Sequence, residues 1–161
     1  MKKRNVLFLT QAAMIAAIYV ILAVIFAPSS SKAIQIRIAE SLTILPAFTP
    51  AAIPGLFIGC VIGNVLIACT LPDIVFGSLA TLIGAVFTYL LRKKNKFLAP
   101  LPPVLANILI IPFVLRYAYG ANLPIPLMML TIGIGEILSC GVLGMILYTP
   151  LAKHKNKIFR Q

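Results

Sequence analysis

Charged residues are scarce in this sequence, and acidic residues are the scarcest of all. Only 11% of the 161 residues are charged, three are acidic, and the chain has one histidine and no tryptophan. A soluble domain carries about 25% charged residues. The chain therefore lacks the surface of a soluble globular domain, and its few acids and single histidine exclude most arrangements for acid–base catalysis.

Motifs that bind nucleotides or metals are also absent. The sequence contains no Gly-x-x-x-x-Gly-Lys-Ser/Thr phosphate loop, no His-Glu-x-x-His and no Cys-x-x-Cys. Active transport would therefore require a partner that hydrolyses ATP. The odd number of cysteines, all in apolar stretches, predicts reduced packing residues rather than disulfides. We expect no metal and no cofactor, and we interpret His154 as a solvated residue of the basic tail.

Apolar residues, in contrast, are abundant. They make up 61% of the chain, and the mean hydropathy is +1.06. Because a bilayer crossing takes about 20 mostly apolar helical residues, this length allows about six crossings and no separate soluble domain. The sequence predicts one all-α domain over residues 1–161, a polytopic membrane protein with six transmembrane helices. The predicted spans are Asn5–Ala27, Ile38–Phe48, Ile53–Cys69, Asp73–Leu91, Leu101–Tyr117 and Ile125–Tyr148.

The basic residues predict the orientation of these spans. The net charge of +11 comes from short clusters between apolar runs, without the interleaved aromatic residues of a nucleic-acid groove, so no nucleic-acid partner is expected. Met1–Arg4, Arg92–Lys96 and Lys153–Arg160 fall on one side, and Lys32, Arg37 and Arg116 fall on the other. The positive-inside rule therefore predicts a multi-pass cell-membrane protein with both termini in the cytoplasm.

Proline and glycine mark the junction of the second and third spans. Pro46, Pro50 and Pro54 recur every fourth residue, which disfavours a continuous helix and predicts a broken helix or tight hairpin. Small residues every fourth position also allow helix backbones to approach closely. We interpret one such stripe as internal helix packing, namely Gly55, Gly59 and Gly63.

The three acids are candidate ligand contacts, because ionisable residues at membrane depth commonly mark a ligand or ion path. Glu136, in the middle of the last span, is the strongest candidate, although pairing with Arg116 or a backbone group would also explain it. Arg37 and Glu40, three residues apart, would share a helix face near the outer mouth and would equally suit an ion pair. Asp73 could bind ligand or simply stabilise a helix N-terminus.

Two asparagines and a second small-residue stripe add further candidates. Asn64 and Asn107 lie within spans and could bind a ligand or link helices. The first span carries two adjacent small-xxx-small pairs, which suit internal packing or docking of another membrane protein: Ala12 with Ala16, and Ala13 with Ala17.

Several segments in this order resemble the QueT family of substrate-binding (S) components of energy-coupling factor (ECF) transporters. The resemblance covers essentially the whole chain and is carried by Ile36–Pro46, Ile53–Cys60, Asn64 and Asp73–Leu82. It implies a six-helix, non-enzymatic subunit that captures a vitamin-like molecule outside the cell. It also implies partners: a transmembrane coupling protein and two ATPases. The presumed cargo of the family is a queuosine precursor, a deazaguanine base.

The resemblance implies a role for the first helix, and the chemistry of the implied cargo suggests binding residues. S components dock on the coupling protein through an Ala-x-x-x-Ala face of the first helix, which the four alanines match. A guanine-like base needs carboxylate or carbonyl acceptors and an amide, which the acids and asparagines could supply. Tyr117 and Tyr119, near the outer end of the fifth span, could stack on the ring or anchor the membrane interface. From its position alone, the outer loop Tyr117–Pro124 is expected to gate the site.

Three alternatives remain open at this point. The chain could be an S component for another vitamin, which ligand binding would reveal. It could be an intramembrane enzyme built on Arg37, Asp73 and Glu136, which would require a measurable product. It could also be a structural subunit without a ligand, in which case Glu136→Gln should change neither stability nor uptake.

Overall fold

The computed structural model describes residues 2–27 and 36–158, and within them every regular element is helical and no strand occurs. The α-helices are α1 (Lys2–Ile25), α2 (Ala52–Leu66), α3 (Leu71–Leu91), α4 (Leu101–Ala118), α5 (Ile125–Glu136), α6 (Gly144–Lys153) and α7 (Lys155–Ile158). A 3₁₀ helix spans Ile38–Ala47, a short 3₁₀ turn spans Lys96–Leu98, and a π-helical segment spans Ile137–Leu143. The all-α prediction is confirmed. The predicted loop at Lys32 lies outside the described residues.

The six predicted spans correspond to six apolar helical stretches, but they differ in length. Four are long and apolar enough to cross a membrane by length and composition: Arg4–Ile25, Leu71–Leu91, Lys96–Ala118 and Ile125–Lys153. The other two, Ile38–Ala47 and Ala52–Leu66, are shorter. A 15-residue α-helix rises only about 22 Å, less than the roughly 30 Å of a hydrocarbon core. Four of the six predicted transmembrane helices are therefore long enough to cross a membrane.

The junction between the two short helices is broken, as the prolines predicted. The 3₁₀ helix ends at Ala47, residues 48–51 form turns, and α2 begins at Ala52. Pro46 lies inside the 3₁₀ helix. Ten residues is long for this conformation, which commonly lasts three or four. Its residues from Ala39 to Pro46 are all buried, so this segment lies in the core of the molecule.

Helices α1 and α2 meet along a seam of small residues. A Cβ atom added at Gly55 would lie 2.7 Å from the Ala12 carbonyl oxygen, and one at Gly59 would lie 2.9 Å from Tyr19 Cβ. At Gly63 the nearest atom would be Ala23 Cβ, at 3.1 Å. The glycine stripe therefore serves internal packing, as predicted. We call this contact the α1–α2 seam.

The second half of the chain packs around the same 3₁₀ helix. Helix α3 packs on α2 and α4, and α4 packs on α5, whose path continues through the π-helical segment into α6. The 3₁₀ helix contacts α3, the π-helical segment and α6. A small apolar core between α4 and α5 contains Ile111, Met128 and Ile132. This packing brings side chains from most of the chain to the middle of the molecule.

The outer surface is strongly apolar. Large side chains such as Leu9, Leu71 and Ile146 are 64% to 74% exposed, and many others along the helices are exposed as well. An apolar surface this extensive is not stable in water and suits contact with lipid chains.

Candidate functional site

Glu40 lies in the 3₁₀ helix and is almost fully buried, with 1% of its surface exposed. Its Oε1 accepts a hydrogen bond of 2.6 Å from the Tyr19 hydroxyl of α1 and one of 3.3 Å from Thr81 Oγ1 of α3. Its Oε2 has no hydrogen-bonding partner among the described residues. Burying a carboxylate oxygen without a donor is costly, so this atom is the least satisfied part of the site.

A second buried carboxylate, Glu136, lies beside the first. It is the last residue of α5, and Cys140 Sγ, one turn later, donates to its Oε2 at 3.2 Å. The Asn107 side chain of α4 is a further hydrogen-bonding partner. One oxygen of each glutamate and the Cys140 sulfur all lie within 4.8 Å of one another. The π-helical segment begins immediately after Glu136, and π-bulges are frequent at functional sites.

A positively charged group lies next to this pair. Arg37 precedes the 3₁₀ helix in an extended conformation, so it does not share a helix face with Glu40 as predicted. Its Nη2 donates to Asn64 Oδ1 at 2.7 Å, while its charge interacts electrostatically with Glu40 and Asp73. Arg37 and Glu40, which were predicted to pair, therefore hydrogen-bond to different residues.

Asp73 and Tyr119 form the rim of the site. Asp73 lies in the first turn of α3, where a carboxylate interacts favourably with the helix dipole. The Tyr119 hydroxyl donates to Asp73 Oδ2 at 2.9 Å and accepts from the Thr70 amide at 3.2 Å. Burial raises the pKa of Tyr119 to about 12, and the bond to Asp73 adds to this effect.

We call this group of buried and half-buried side chains the polar network; its members are Tyr19, Arg37, Glu40, Asn64, Asp73, Thr81, Asn107, Glu136 and Cys140. It brings together six of the predicted site residues from five different segments. Arg116, the predicted internal partner of Glu136, is exposed and donates instead to the Leu123 carbonyl oxygen.

Membership of a family is decided by sequence over the whole chain. A family model described as QueT transporter matches residues 9–153. The chain belongs to the QueT transporter family. The resemblance stated from the central segments is thereby confirmed. The family is one of membrane transporters rather than enzymes, so the chain has a transport role. No curated protein and no solved structure matches the chain.

The structure of this QueT-family protein places other predicted residues away from the polar network. The Tyr117 side chain is 81% exposed and lines a surface groove with Phe76 and Phe113. The alanines of α1 divide into two pairs. Ala12 and Ala16 are buried, with the α1–α2 seam beneath them, whereas Ala13 and Ala17 are exposed.

Sequence reasoning missed several members of the network. Tyr19, Thr81 and Cys140 lie in apolar runs and carry no charge, so they resembled packing residues. Cys140 follows Glu136 by four positions, which places the two side chains on one helix face, and this spacing could have indicated the contact. All three cysteines are free, as predicted, but Cys140 also hydrogen-bonds a carboxylate.

The polar network carries groups that could recognise a polar ligand. The polar network offers carboxylate oxygens as acceptors and the Arg37 guanidinium and two amides as donors. Glu40, Glu136 and Cys140 form a donor set that could hold a cation, organic or metallic.

Proposed function

We propose that this protein is the substrate-capture subunit, or S component, of an ECF-type transporter, and that its cargo is a queuosine precursor, a deazaguanine base. The observation that carries the proposal is the buried Glu40–Glu136 pair at the centre of a QueT-family membrane protein. Buried ionisable groups at membrane depth are costly and commonly serve a ligand or ion path.

The network suits the hydrogen-bonding edge of a guanine-like base. That edge presents a ring N–H and an exocyclic amine as donors, next to a carbonyl acceptor. One carboxylate can accept both donors, and Asn107 or Arg37 can donate to the carbonyl. Glu40 and Glu136 are the acceptors with which we expect the base to pair, and Asn64 and Asp73 complete the polar surroundings. Tyr117 lies in a separate surface groove, so the proposed stacking on the base requires α4 to move on binding.

Transport would also require partners. The sequence has no phosphate loop, which agrees with ATP hydrolysis on separate subunits. We propose that the coupling protein docks on α1, where Ala13 and Ala17 are exposed and line a shallow groove with Ile58 and Ile62 of α2. Ala12 and Ala16 support this face from beneath. In this proposal both termini lie in the cytoplasm and the Arg37 end of the network faces outward.

A ligand panel tests the cargo. The purified protein in detergent is heated with deazaguanine precursors, guanine, riboflavin, thiamine or biotin, because a ligand that binds only the native state raises the melting temperature. A shift with a deazaguanine that disappears in Glu136→Gln supports the proposal. A shift with another vitamin retains the S component and changes its cargo. No shift with any compound would favour a structural subunit.

A matched pair of substitutions tests docking. Ala17→Leu adds bulk to the exposed groove of α1, whereas Ala152→Leu adds the same bulk at an exposed position of α6. We expect Ala17→Leu to abolish co-purification with the coupling protein and uptake, while leaving ligand binding unchanged. Ala152→Leu should leave all three unchanged. Equal effects of the two substitutions would contradict docking on this face.

A further inference from the structure

The turn between α3 and α4 concentrates positive charge. Arg92–Phe97, which we call the basic turn, contains one arginine and three lysines, and no acidic residue lies between Tyr89 and Leu101. The nearest acid along the chain, Asp73, lies at the opposite end of the 21-residue helix α3, roughly 30 Å away. The charge of the basic turn is therefore not compensated by acidic residues close to it in the chain.

Internal hydrogen bonds fix the conformation of the basic turn. Thr88 Oγ1 donates to the Ala99 carbonyl oxygen at 2.8 Å, and both residues are buried. This bond ties the end of α3 to the segment that leads into α4. Within the turn, the Asn95 side chain accepts from the Phe97 amide at 3.1 Å. A binding surface that is already ordered loses less entropy when it takes up a partner.

The cation nearest to α3, Arg92, serves the protein itself. Its Nη1 donates to the Tyr89 carbonyl oxygen at 2.6 Å, and the guanidinium carbon lies 3.5 Å from the centre of the Tyr89 ring. A cation at this end of a helix also interacts favourably with the helix dipole. The three lysines of the turn, in contrast, are exposed and can reach an anion outside the chain: Lys93, Lys94 and Lys96.

Large apolar side chains lie beside these lysines. Phe97, Leu90 and Leu101 are 65%, 61% and 44% exposed. Lys96 Nζ lies 5.1 Å from the centre of the Phe97 ring, so a cation and an exposed aromatic ring occupy the same surface. Because α3 and α4 both belong to stretches long enough to cross a membrane, the turn that joins them lies at the level of the lipid headgroups.

We infer that the basic turn binds anionic phospholipids, with the three lysines on the phosphate groups and Phe97 among the acyl chains. This inference goes beyond the proposed transport of a cargo. It uses only the proposed orientation, which places the turn in the cytoplasmic leaflet, where anionic lipids give the membrane surface a negative potential. Each lysine or arginine near such a surface strengthens binding by about 5-fold.

An acidic surface of another protein is the other partner that the lysines would suit. The exposed Phe97 and Leu90 side chains favour the lipid. A phospholipid supplies a phosphate and an acyl chain together, and these match the adjacent lysines and apolar side chains of the turn. An acidic protein surface would match the lysines alone.

Competition between lipids tests the inference. The full chain in dodecyl maltoside binds fluorescent phosphatidylglycerol, which is displaced by unlabelled phosphatidylglycerol, an anionic lipid, or phosphatidylcholine, which has no net charge. We expect phosphatidylglycerol to bind at least about 10-fold more tightly than phosphatidylcholine, because several cations contribute. Equal affinities of the wild-type protein for the two lipids would overturn the inference.

A matched pair of double substitutions locates the site. Lys93→Gln with Lys94→Gln removes two exposed cations of the basic turn, and Lys153→Gln with Lys155→Gln removes two exposed cations near the C-terminus. The first should bring the affinities for the two lipids to within about 3-fold of each other, whereas the second should preserve the preference. Equal effects of the two double variants would show diffuse attraction by net charge and would overturn a site at the turn.

Three further measurements address the other partners. Phe97→Ser should weaken both lipids by the same factor, because it removes an apolar contact and no charge. Displacement of the probe by inorganic phosphate at the concentrations at which phosphatidylglycerol acts would overturn the inference in favour of a simple anion site. So would a Lys93→Gln, Lys94→Gln variant that keeps the lipid preference but no longer co-purifies with the ATPases. All these variants should retain any cargo-dependent rise in melting temperature, so the two proposals fail separately.

Discussion

The α1–α2 seam and the polar network are both buried, yet they are built on opposite principles. In the seam, glycines place backbones so close that a Cβ at Gly59 would lie 2.9 Å from Tyr19 Cβ. In the network, side chains from several segments meet through hydrogen bonds, and Glu40 Oε2 is left without a partner among the described residues. The seam has no room for one more atom, whereas the network has hydrogen-bonding capacity that the described residues do not use.

This difference separates stability from function. A membrane helix pair gains little from the hydrophobic effect, so close packing of small residues is what holds it together. Buried carboxylates oppose that stability, and in the proposed function they serve ligand binding. Changes in the seam should therefore impair folding, and changes in the network should impair binding. Tyr19 contributes to both, because its ring packs in the seam and its hydroxyl reaches Glu40.

The largest effect is expected from Gly59→Val. The added side chain would clash with the Ala16 backbone as well as with Tyr19, and neither can move freely inside a packed helix pair. We expect the free energy of unfolding in detergent to fall by about 3 kcal/mol. Gly141→Ala is the control, because its nearest neighbour would be Ile137 Cγ2 at 3.7 Å, and we expect a change of less than about 0.5 kcal/mol. Equal stability of the two variants would show that the seam is looser than described.

A smaller loss of stability is expected from Tyr19→Phe, which keeps the ring in the seam and removes the 2.6 Å bond to Glu40. Hydrogen bonds to charged groups contribute about 1.5–3 kcal/mol, so we expect the free energy of unfolding to fall by about 2 kcal/mol. A double-mutant cycle with Glu40→Ala, which removes the acceptor, isolates the interaction. Additive effects of the two substitutions would mean that the hydroxyl acts only through packing.

In contrast to Tyr19→Phe, Glu40→Gln should leave stability unchanged and weaken ligand binding. The amide has nearly the same shape and can still accept from Tyr19 and Thr81, so we expect unchanged or slightly increased stability. Ligand affinity should fall at least 10-fold, which corresponds to about 1.4 kcal/mol. Melting curves with and without ligand measure both quantities in one preparation. A marked loss of stability without loss of affinity would reassign Glu40 to the structural part of the molecule.

Much of the division between the seam and the polar network could be predicted from the sequence, because membrane helices have recognisable sequence patterns. Apolar runs predicted the helical segments, and the prolines predicted the break after Ala47. The spacing of Gly55, Gly59 and Gly63 predicted the seam. These features depend on local backbone chemistry, which a single sequence records directly.

Other features depend on distant contacts and could not be predicted. The 3₁₀ conformation of Ile38–Ala47 arises as the segment packs in the core, and nothing in its composition distinguishes it from a short α-helix. Glu40 and Glu136 were both singled out, but their proximity across 96 positions of sequence required the fold. Tyr19 was missed because its ring suits an apolar helix and only its hydroxyl indicates another role.

The smallest effect is expected at the rim, from Tyr119→Phe. The hydroxyl bonds Asp73 and Thr70, but the side chain is 45% exposed and water can replace it. We therefore expect a loss of only about 0.5 kcal/mol, at the low end for a hydrogen bond. Because the folded state raises the pKa of Tyr119 to about 12, its contribution is complete below pH 10 and is lost as the pH rises towards 12. Melting temperatures of the wild type and variant should thus differ by the same small amount from pH 6 to 9. A difference that varied with pH in this range would show that the rim contains another titrating group. The rim would then belong to the binding region rather than support it.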